Sequence, residues 1–261
     1  MKCRICEHDS KFEFQATLLK KYEVNYFFCK NCSFLQSEEP YWLEEAYGNA
    51  IADADTGLVQ RNLEISRRLS CLLYFLFDRD GTYLDVAGGY GMLTRLMRDV
   101  GFNFYWYDKY CENLLARGFE SDASSACTAI TAFEVMEHVT DPLSFITESM
   151  ARGKTKTMVF STELFEGKPP EPQSWWYYTF ETGQHISFYQ SKTLQVLADK
   201  LGLNCYSNGS LHLLTDKKIN PIRYSFLTNH KVTRLLSIAI SRFSMTSKTV
   251  VDHNDIMRGI S

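Results

Sequence analysis

No stretch of the chain approaches the roughly 18 consecutive apolar residues of a membrane-spanning helix, and no internal repeat or low-complexity tract interrupts it. Neither a membrane-spanning helix nor a repeat array is expected on that ground. An excess of one charge sign is also missing. The 28 Lys and Arg stand against 31 Asp and Glu, for a formal charge of −3 and a pI near 6.1, so the broad positive field of a nucleic-acid binder is absent. The opening MKCRICEHDSKFEF has neither the apolar core nor the small-residue cleavage site of a secretory leader. A cytoplasmic protein is therefore expected, in a compartment where thiols stay reduced and clustered cysteines bind metal more often than they form disulfides. Hydrophobic residues at 45% and charged residues at 23% are ordinary for a globular chain, and 261 residues suffice for one full domain with a small appendage. Two excesses remain to be explained: eight cysteines, and aromatics at 14%.

Four of the cysteines form two pairs, Cys3-x2-Cys6 and Cys29-x2-Cys32, with 22 residues between the pairs. The intervening KFEFQATLLKKYEVNYFF is rich in strand formers. Two tight turns carried by a hairpin bring four soft ligands into tetrahedral reach, which predicts a zinc ribbon. Four thiolates leave no open position, so the expected zinc is structural. The competing reading is four ordinary buried or redox thiols. Cys71, Cys111, Cys127 and Cys205 lack ligand spacing and read as small apolar residues.

After the ribbon, LVQRNLEISRRLSCLLYFLF has the three-and-four apolar spacing of a helix. Strand-like and helix-like segments then alternate: TYLDVA, MLTRLMRDVG, FNFYWYD, ENLLARG, TAITAFEV, DPLSFITESMA, TMVFSTE and SKTLQVLADKLG, closing on NCYS and HLLT. Such alternation predicts an α/β fold with parallel strands and helical crossovers. Residues 216–261 hold eight Lys and Arg against three Asp, leaving −8 for the remainder. A helical tail docked on the domain is expected there, with contact to an anionic membrane surface as the alternative. The division read from the sequence is thus a ribbon at 1–38, a helical linker at 39–80, a main domain at 81–215 and a basic helical extension at 216–261.

The chemistry begins at LDVAGGYGMLTRLM, where a strand ends on Asp85 and passes through Ala87, Gly88, Gly89 and Gly91 into a helix. Small residues at such a junction let the backbone approach a ligand at a helix N-terminus. The dinucleotide pattern fails, because the third small residue needed after Gly89 and Gly91 is missing. The run instead resembles the acidic-x-Gly-x-Gly-x-Gly motif of class I S-adenosylmethionine-dependent methyltransferases, with Ala87 in place of the first glycine. The resemblance implies a Rossmann-like sheet with helices on both faces, S-adenosylmethionine as cofactor, and Asp85 with the glycine loop at its methionine end. It also implies a strand-end acidic residue on the ribose hydroxyls. Asp108, 23 residues past Asp85 at the end of NFYWYD, occupies that position, and a carboxylate can accept from both hydroxyls of a diol. A solvated strand-end carboxylate is the plain alternative.

The resemblance continues through AFEVMEHVTDP and covers residues 81 to about 215. With the ribbon, EEPYWLEEAY and WWYYTFETGQHISFY, the chain is similar to bacterial methyltransferases associated with polysaccharide and sugar biosynthesis. That implies a small sugar-derived acceptor. Methyl transfer from a sulfonium needs an aligned acceptor and removal of its proton, with no protein nucleophile. Glu134, Glu137 and His138 stand at i, i+3 and i+4, one face of a helix if the helix begins by Glu134, and His185 follows in GQHISFY. Small-RNA 3′-end and ubiquinone-pathway O-methyltransferases carry a similar Glu-x-x-Glu-His that binds a divalent metal. On that model Glu134, Glu137, His138 and His185 hold a cation. Sugar C-methyltransferases with a zinc module have a Glu-His pair whose His is a base; here Gln184 precedes His185 and supplies no carboxylate. The plain alternatives are that Glu134 caps a helix or touches cofactor, and that Glu137 and His138 make local hydrogen bonds.

Three of the six prolines fall at 169, 170 and 172, just before Trp175, Trp176, Tyr177 and Tyr178. Stiffened by proline, this segment is expected to turn at least one ring toward an acceptor, the rest being core. The rival to an enzyme is a catalytically silent methyltransferase-like adaptor that binds protein or nucleic acid through its ribbon. Silence predicts decay of the cofactor loop, yet Asp85, Gly89, Gly91 and Asp108 are all present. Residues 1–35 carry only six Lys and Arg against four Asp and Glu, which is weak for a phosphate-reading surface.

Overall fold

The computed structural model of the protein describes residues 1–47 and 56–259. In chain order its elements are β1 (Lys11–Leu18), β2 (Tyr22–Cys29), β3 (Phe34–Ser37), α1 (Leu43–Ala46), α2 (Leu58–Leu76), β4 (Thr82–Val86), α3 (Met92–Val100), β5 (Asn103–Tyr107) and β6 (Ala129–Ala132). There follow α4 (Pro142–Arg152), β7 (Thr157–Ser161), β8 (Ser187–Phe188), α5 (Ser191–Leu201), β9 (Asn204–Asn208), β10 (Leu211–Thr215), α6 (Pro221–Leu227), α7 (His230–Ala239) and α8 (Thr249–Met257). The mixed sheet of parallel strands flanked by helices is the expected Rossmann-like α/β class, with strand order β5-β4-β6-β7-β10-β9. A separate four-stranded sheet runs β1-β2-β3-β8. Of the helical stretch expected over 39–80, α1 and α2 are observed, while residues 48–55 lie outside the described residues.

The chain forms two compact units, and the first comprises Met1–Asp53, Phe133–Glu148 and Phe160–Asp216. Its small sheet begins as an antiparallel hairpin of β1 on β2, with a bulge between Phe12 and Phe14. β3 pairs antiparallel with β2, and β8 closes the edge through Leu35↔Phe188 and Gln36↔Ser187. The core of this unit gathers Val24, Tyr26, Leu35, Trp42, Tyr177, Tyr178 and Phe188, all essentially without solvent exposure. Much of the aromatic surplus is spent here.

The second unit comprises Ala54–Ala132, Ser149–Val159 and Lys217–Ser261. β4 pairs parallel with β5 and with β6. Its last four residues, Tyr83 to Val86, are all buried, as expected of a strand covered on both faces. α2 buries Ile65, Leu69, Leu72 and Leu73 along one stripe and packs against α3 and α7. The ENLLARG segment, helix-like in sequence, forms no helix. Asn113 pins it as a turn instead: its Nδ2 donates to the Ala116 carbonyl (2.8 Å) and to Glu120 (2.6 Å), and its Oδ1 accepts from the Ala116 N–H (2.9 Å). A side-chain amide that satisfies the backbone locally removes the incentive to continue a helix. α8 is clamped to α3, where Arg98 donates to both oxygens of Asp252 at 2.8 and 2.6 Å, with both residues buried.

Candidate functional site

In the second unit, β4 delivers Asp85 to the start of the glycine loop. Asp85 is buried and accepts from Thr131 Oγ1 at 2.6 Å, with Thr94 Oγ1 at 3.5 Å. Burial pushes its carboxyl up to about 7, the Thr131 hydrogen bond pulls back, and nearby Asp108 pushes up again. The glycines do separate jobs. A Cβ on Gly88 would come within 2.7 Å of the Trp106 ring and 3.0 Å of Asp85, whereas one on Gly91 (φ +86°) would meet Asn113 at 2.6 Å. At Gly89 (φ +53°) a Cβ would meet nothing within 4 Å, so the space beside it is open to a ligand. Ala87 sits at φ +57°. The substitution of alanine for glycine is therefore a conformational departure as well as one of size, at a cost of about 1–2 kcal/mol.

Asp108 is brought to this loop from the end of β5. Its Oδ2 accepts from the Gly89 N–H at 2.9 Å, and its Oδ1 accepts from the N–H groups of Tyr110 and Cys111 at 2.7 and 2.8 Å. The Trp106 Nε1–H donates to the Gly89 carbonyl at 2.8 Å. One anchor lies in β5 and the other directly after it, and the sequence pattern that singled out Asp108 gave no sign of the tryptophan.

In the first unit, Glu134 does not open a helix. It adopts φ +56°, and only a short 3₁₀ turn, Met136–His138, follows. The expected single helical face of Glu134, Glu137 and His138 is not built. Glu134 is tied to Ser161: its N–H donates to Ser161 Oγ (2.8 Å), and that hydroxyl donates to Glu134 Oε1 (2.7 Å). Glu137, His138 and His185 do come together. Each offers one ligand atom, and these atoms all lie within 4.8 Å of one another; Glu134 is not in that group.

The second-neighbour contacts orient both imidazoles. His185 Nδ1 lies 2.6 Å from the Tyr177 carbonyl, which can only accept, so the ring proton sits on Nδ1. His138 Nδ1 lies 3.2 Å from the Gln184 carbonyl and 3.0 Å from Tyr47 Oη, and the same tautomer serves the carbonyl. Burial, helped by neighbouring His185, holds His138 down to about 3, so it is neutral near pH 7. Glu137 is buried, and its carbonyl accepts from the Ile186 N–H at 2.9 Å. Two imidazoles braced at Nδ1 and one carboxylate form a donor set that suits a divalent cation. Nothing in the residue pattern assigned a role to Tyr47, although it closes the EEPYWLEEAY segment, and the Tyr177 carbonyl could not be read because a main-chain atom has no residue identity.

The four ribbon cysteines also meet. Cys3 and Cys32 are 3.4 Å apart at sulfur, as are Cys6 and Cys29, and all four sulfurs lie within 4.8 Å of one another. These separations exceed the ~2.05 Å of a disulfide. They approach the ~3.8 Å expected between thiolates on a tetrahedral zinc with bonds of ~2.3 Å. Each knuckle closes the same way. The Glu7 N–H donates to the Cys3 carbonyl and the Ser33 N–H to the Cys29 carbonyl, with Glu7 and Ser33 at φ +63° and +61°. The Cys32 hydrogen bond holds Cys3 down to about 5, while Cys32 is pushed up in exchange.

Of the four rings in the WWYY run, Tyr177 and Tyr178 are buried in the core, and Trp175 packs half-buried against it. Only Trp176, 74% exposed, faces solvent among them. Gln184 spends its amide on the Ala46 carbonyl at 2.8 Å.

Residues 59–208, more than half of the chain, match a family model described as a methyltransferase domain. Matching solved structures include CalO1, a methyltransferase in calicheamicin biosynthesis with SAH bound, at 14% identity and TM-score 0.42, covering 67% of this chain and 61% of that one. TnmH matches at 16% and 0.47, covering 67% and 60%. Magnesium protoporphyrin IX methyltransferase (ChlM) from Synechocystis PCC 6803, with SAH bound, matches at 11% and 0.37, covering 66% and 90%. The chain thus spans less than two thirds of the length of CalO1 and TnmH. No curated protein sequence matches it.

Proposed function

The chain belongs to the methyltransferase-domain family, and from that premise we propose that it transfers a methyl group from S-adenosylmethionine to a small polar acceptor, a sugar or nucleotide sugar. The observation that carries the reading is the glycine loop, where Asp108 accepts from the Gly89 N–H beside a buried Asp85. Asp85, Ala87, Gly88, Gly89 and Gly91 hold the methionine end of the cofactor in this account. Asp108 takes the ribose diol, and Glu134 lines the cofactor. An adaptor with no catalytic role would have no use for this loop.

At the acceptor, His185, Glu137 and His138 do the work. His185 Nε2, with Nδ1 occupied by the Tyr177 carbonyl, is oriented to take a proton as the methyl carbon moves to the acceptor oxygen. A hydroxyl acceptor is favoured over carbon, because Gln184 supplies no carboxylate beside His185 and its amide is engaged with Ala46. As the alternative to that base role, Glu137, His138 and His185 have the composition to hold a divalent cation. Such an ion, when bound, lowers the pKa of a coordinated hydroxyl. The four cysteines hold one structural zinc in a closed site. In functional terms residues 1–38 are a zinc ribbon, 39–80 a helical linker, 81–215 the methyltransferase domain and 216–261 a basic extension.

Calorimetric titration with S-adenosylhomocysteine tests the cofactor half of this reading. Wild-type protein is expected to bind, with Asp108→Ala weakened by about 10- to 100-fold for the loss of a charge-assisted pair of hydrogen bonds. His185→Ala should bind normally. Wild-type protein that fails to bind, or an Asp108→Ala variant that binds as well as wild type, would overturn it.

A further inference from the structure

Between Lys217 and Val251 the chain carries seven Lys and Arg and no Asp or Glu. α7 lies in the middle of this segment and has two faces. One is held against its own unit: Thr233, Ser237 and the following Ile240 are buried, and the Thr228 carbonyl just before α7 accepts from Arg68 Nε on α2 at 2.9 Å. The other presents Lys231, Arg234, Leu235, Ile238 and Arg242 at three- and four-residue spacing, all exposed. Leu235 is 73% exposed and Phe243, in the turn that follows, 84%. α6 repeats the pattern with exposed Ile222 and Phe226 one turn apart.

We propose that this face binds the surface of an anionic lipid bilayer. Cations alone would suit any polyanion, but large apolar side chains held in water are a cost that a phosphate backbone does not relieve. A bilayer surface satisfies both groups at once. Lipid phosphates and carboxylates meet the Lys and Arg heads, while Leu235, Ile238 and Phe243 enter the boundary between headgroups and acyl chains. No described helix is long and apolar enough to cross a membrane, so the contact is peripheral. The proposal is independent of the methyl acceptor.

Co-sedimentation of the full-length protein with vesicles tests it. Binding is expected to vesicles of phosphatidylcholine with phosphatidylserine added, not to phosphatidylcholine alone, and added salt should release it. Lys231→Glu with Arg234→Glu should weaken binding by at least about tenfold. Leu235→Ser with Ile238→Ser and Phe243→Ser should weaken it similarly although every charge remains, while thermal melting shows both variants folded. Any of these results would overturn the proposal: no binding to the anionic vesicles, equal binding to both kinds, apolar variants that bind as wild type does, or a concentration-dependent dimer that the same substitutions abolish. Wild-type affinity for a nucleic acid of equal charge density that matches its affinity for anionic vesicles would also overturn it.

Discussion

Asp85 shows how one buried carboxyl couples the cofactor loop to pH. Its folded value of about 7 stands above the ordinary aspartate value of about 4. Between those limits the folded protein keeps a proton that the unfolded chain has released. Its contribution is complete below about pH 4 and is lost as pH rises through about 7, so stability falls with rising pH across that window. The slope approaches about 1.4 kcal/mol per pH unit at most. Asp85→Asn retains an acceptor for Thr131 and removes the titration. Denaturant midpoints of the cofactor-free protein should therefore fall with pH for wild type and more weakly for Asp85→Asn. Parallel profiles would contradict the assignment. The sequence pointed to Asp85 through its place before the loop. It could not show that Thr131 is its partner, because that contact depends on β6 lying beside β4.

At the scale of elements, what could be read depended on whether a local pattern met a competing contact. The cysteine spacing and the alternation of strands with helices were legible, since each rests on residues close together or on a period. ENLLARG reads as a helix by its apolar spacing, but Asn113 closes it into a turn. The positive φ at Glu134 separates it from Glu137 and His138 where uniform helical spacing would have joined them. Trp175 to Tyr178 could not be sorted into core and surface from composition, since all four rings are equally suited to either. The basic extension illustrates the energetic side: α8 is fixed by the two-point Arg98–Asp252 pair, with Arg95 also 2.8 Å from Asp252. Asp252→Ala would leave the Arg98 charge buried without its main partner, a loss of about 3–5 kcal/mol. Thermal unfolding should report that drop, with hydrogen exchange rising first along α8; a change under about 1 kcal/mol would mean that the pair is solvated.

For the whole molecule, the ribbon is wired into its unit beyond the cysteines. β3 pairs with β8, the Ser37 N–H donates to the Ile186 carbonyl at 3.0 Å, and Thr193 Oγ1 donates to the Cys32 carbonyl at 2.8 Å. The Ile186 N–H in turn donates to the Glu137 carbonyl. If zinc fills the four-thiolate group, its removal should loosen the segment that carries His185 as well as the hairpin. Cys29→Ser, or chelation strong enough to strip the ion, is expected to abolish amide protection at Ser187 and Phe188 together with β2, while β4 and β5 keep theirs. Loss confined to residues 1–37 would mean that the ribbon folds as a separate appendage.

Methyl transfer is tested by following a labelled methyl group from S-adenosylmethionine into a panel of nucleotide sugars. Label is expected in at least one sugar product, lost with Asp108→Ala through the cofactor and with His185→Ala through the acceptor. Cofactor that binds without any label reaching an acceptor in the panel would contradict the sugar assignment, and cofactor that does not bind at all would contradict the methyltransferase reading itself.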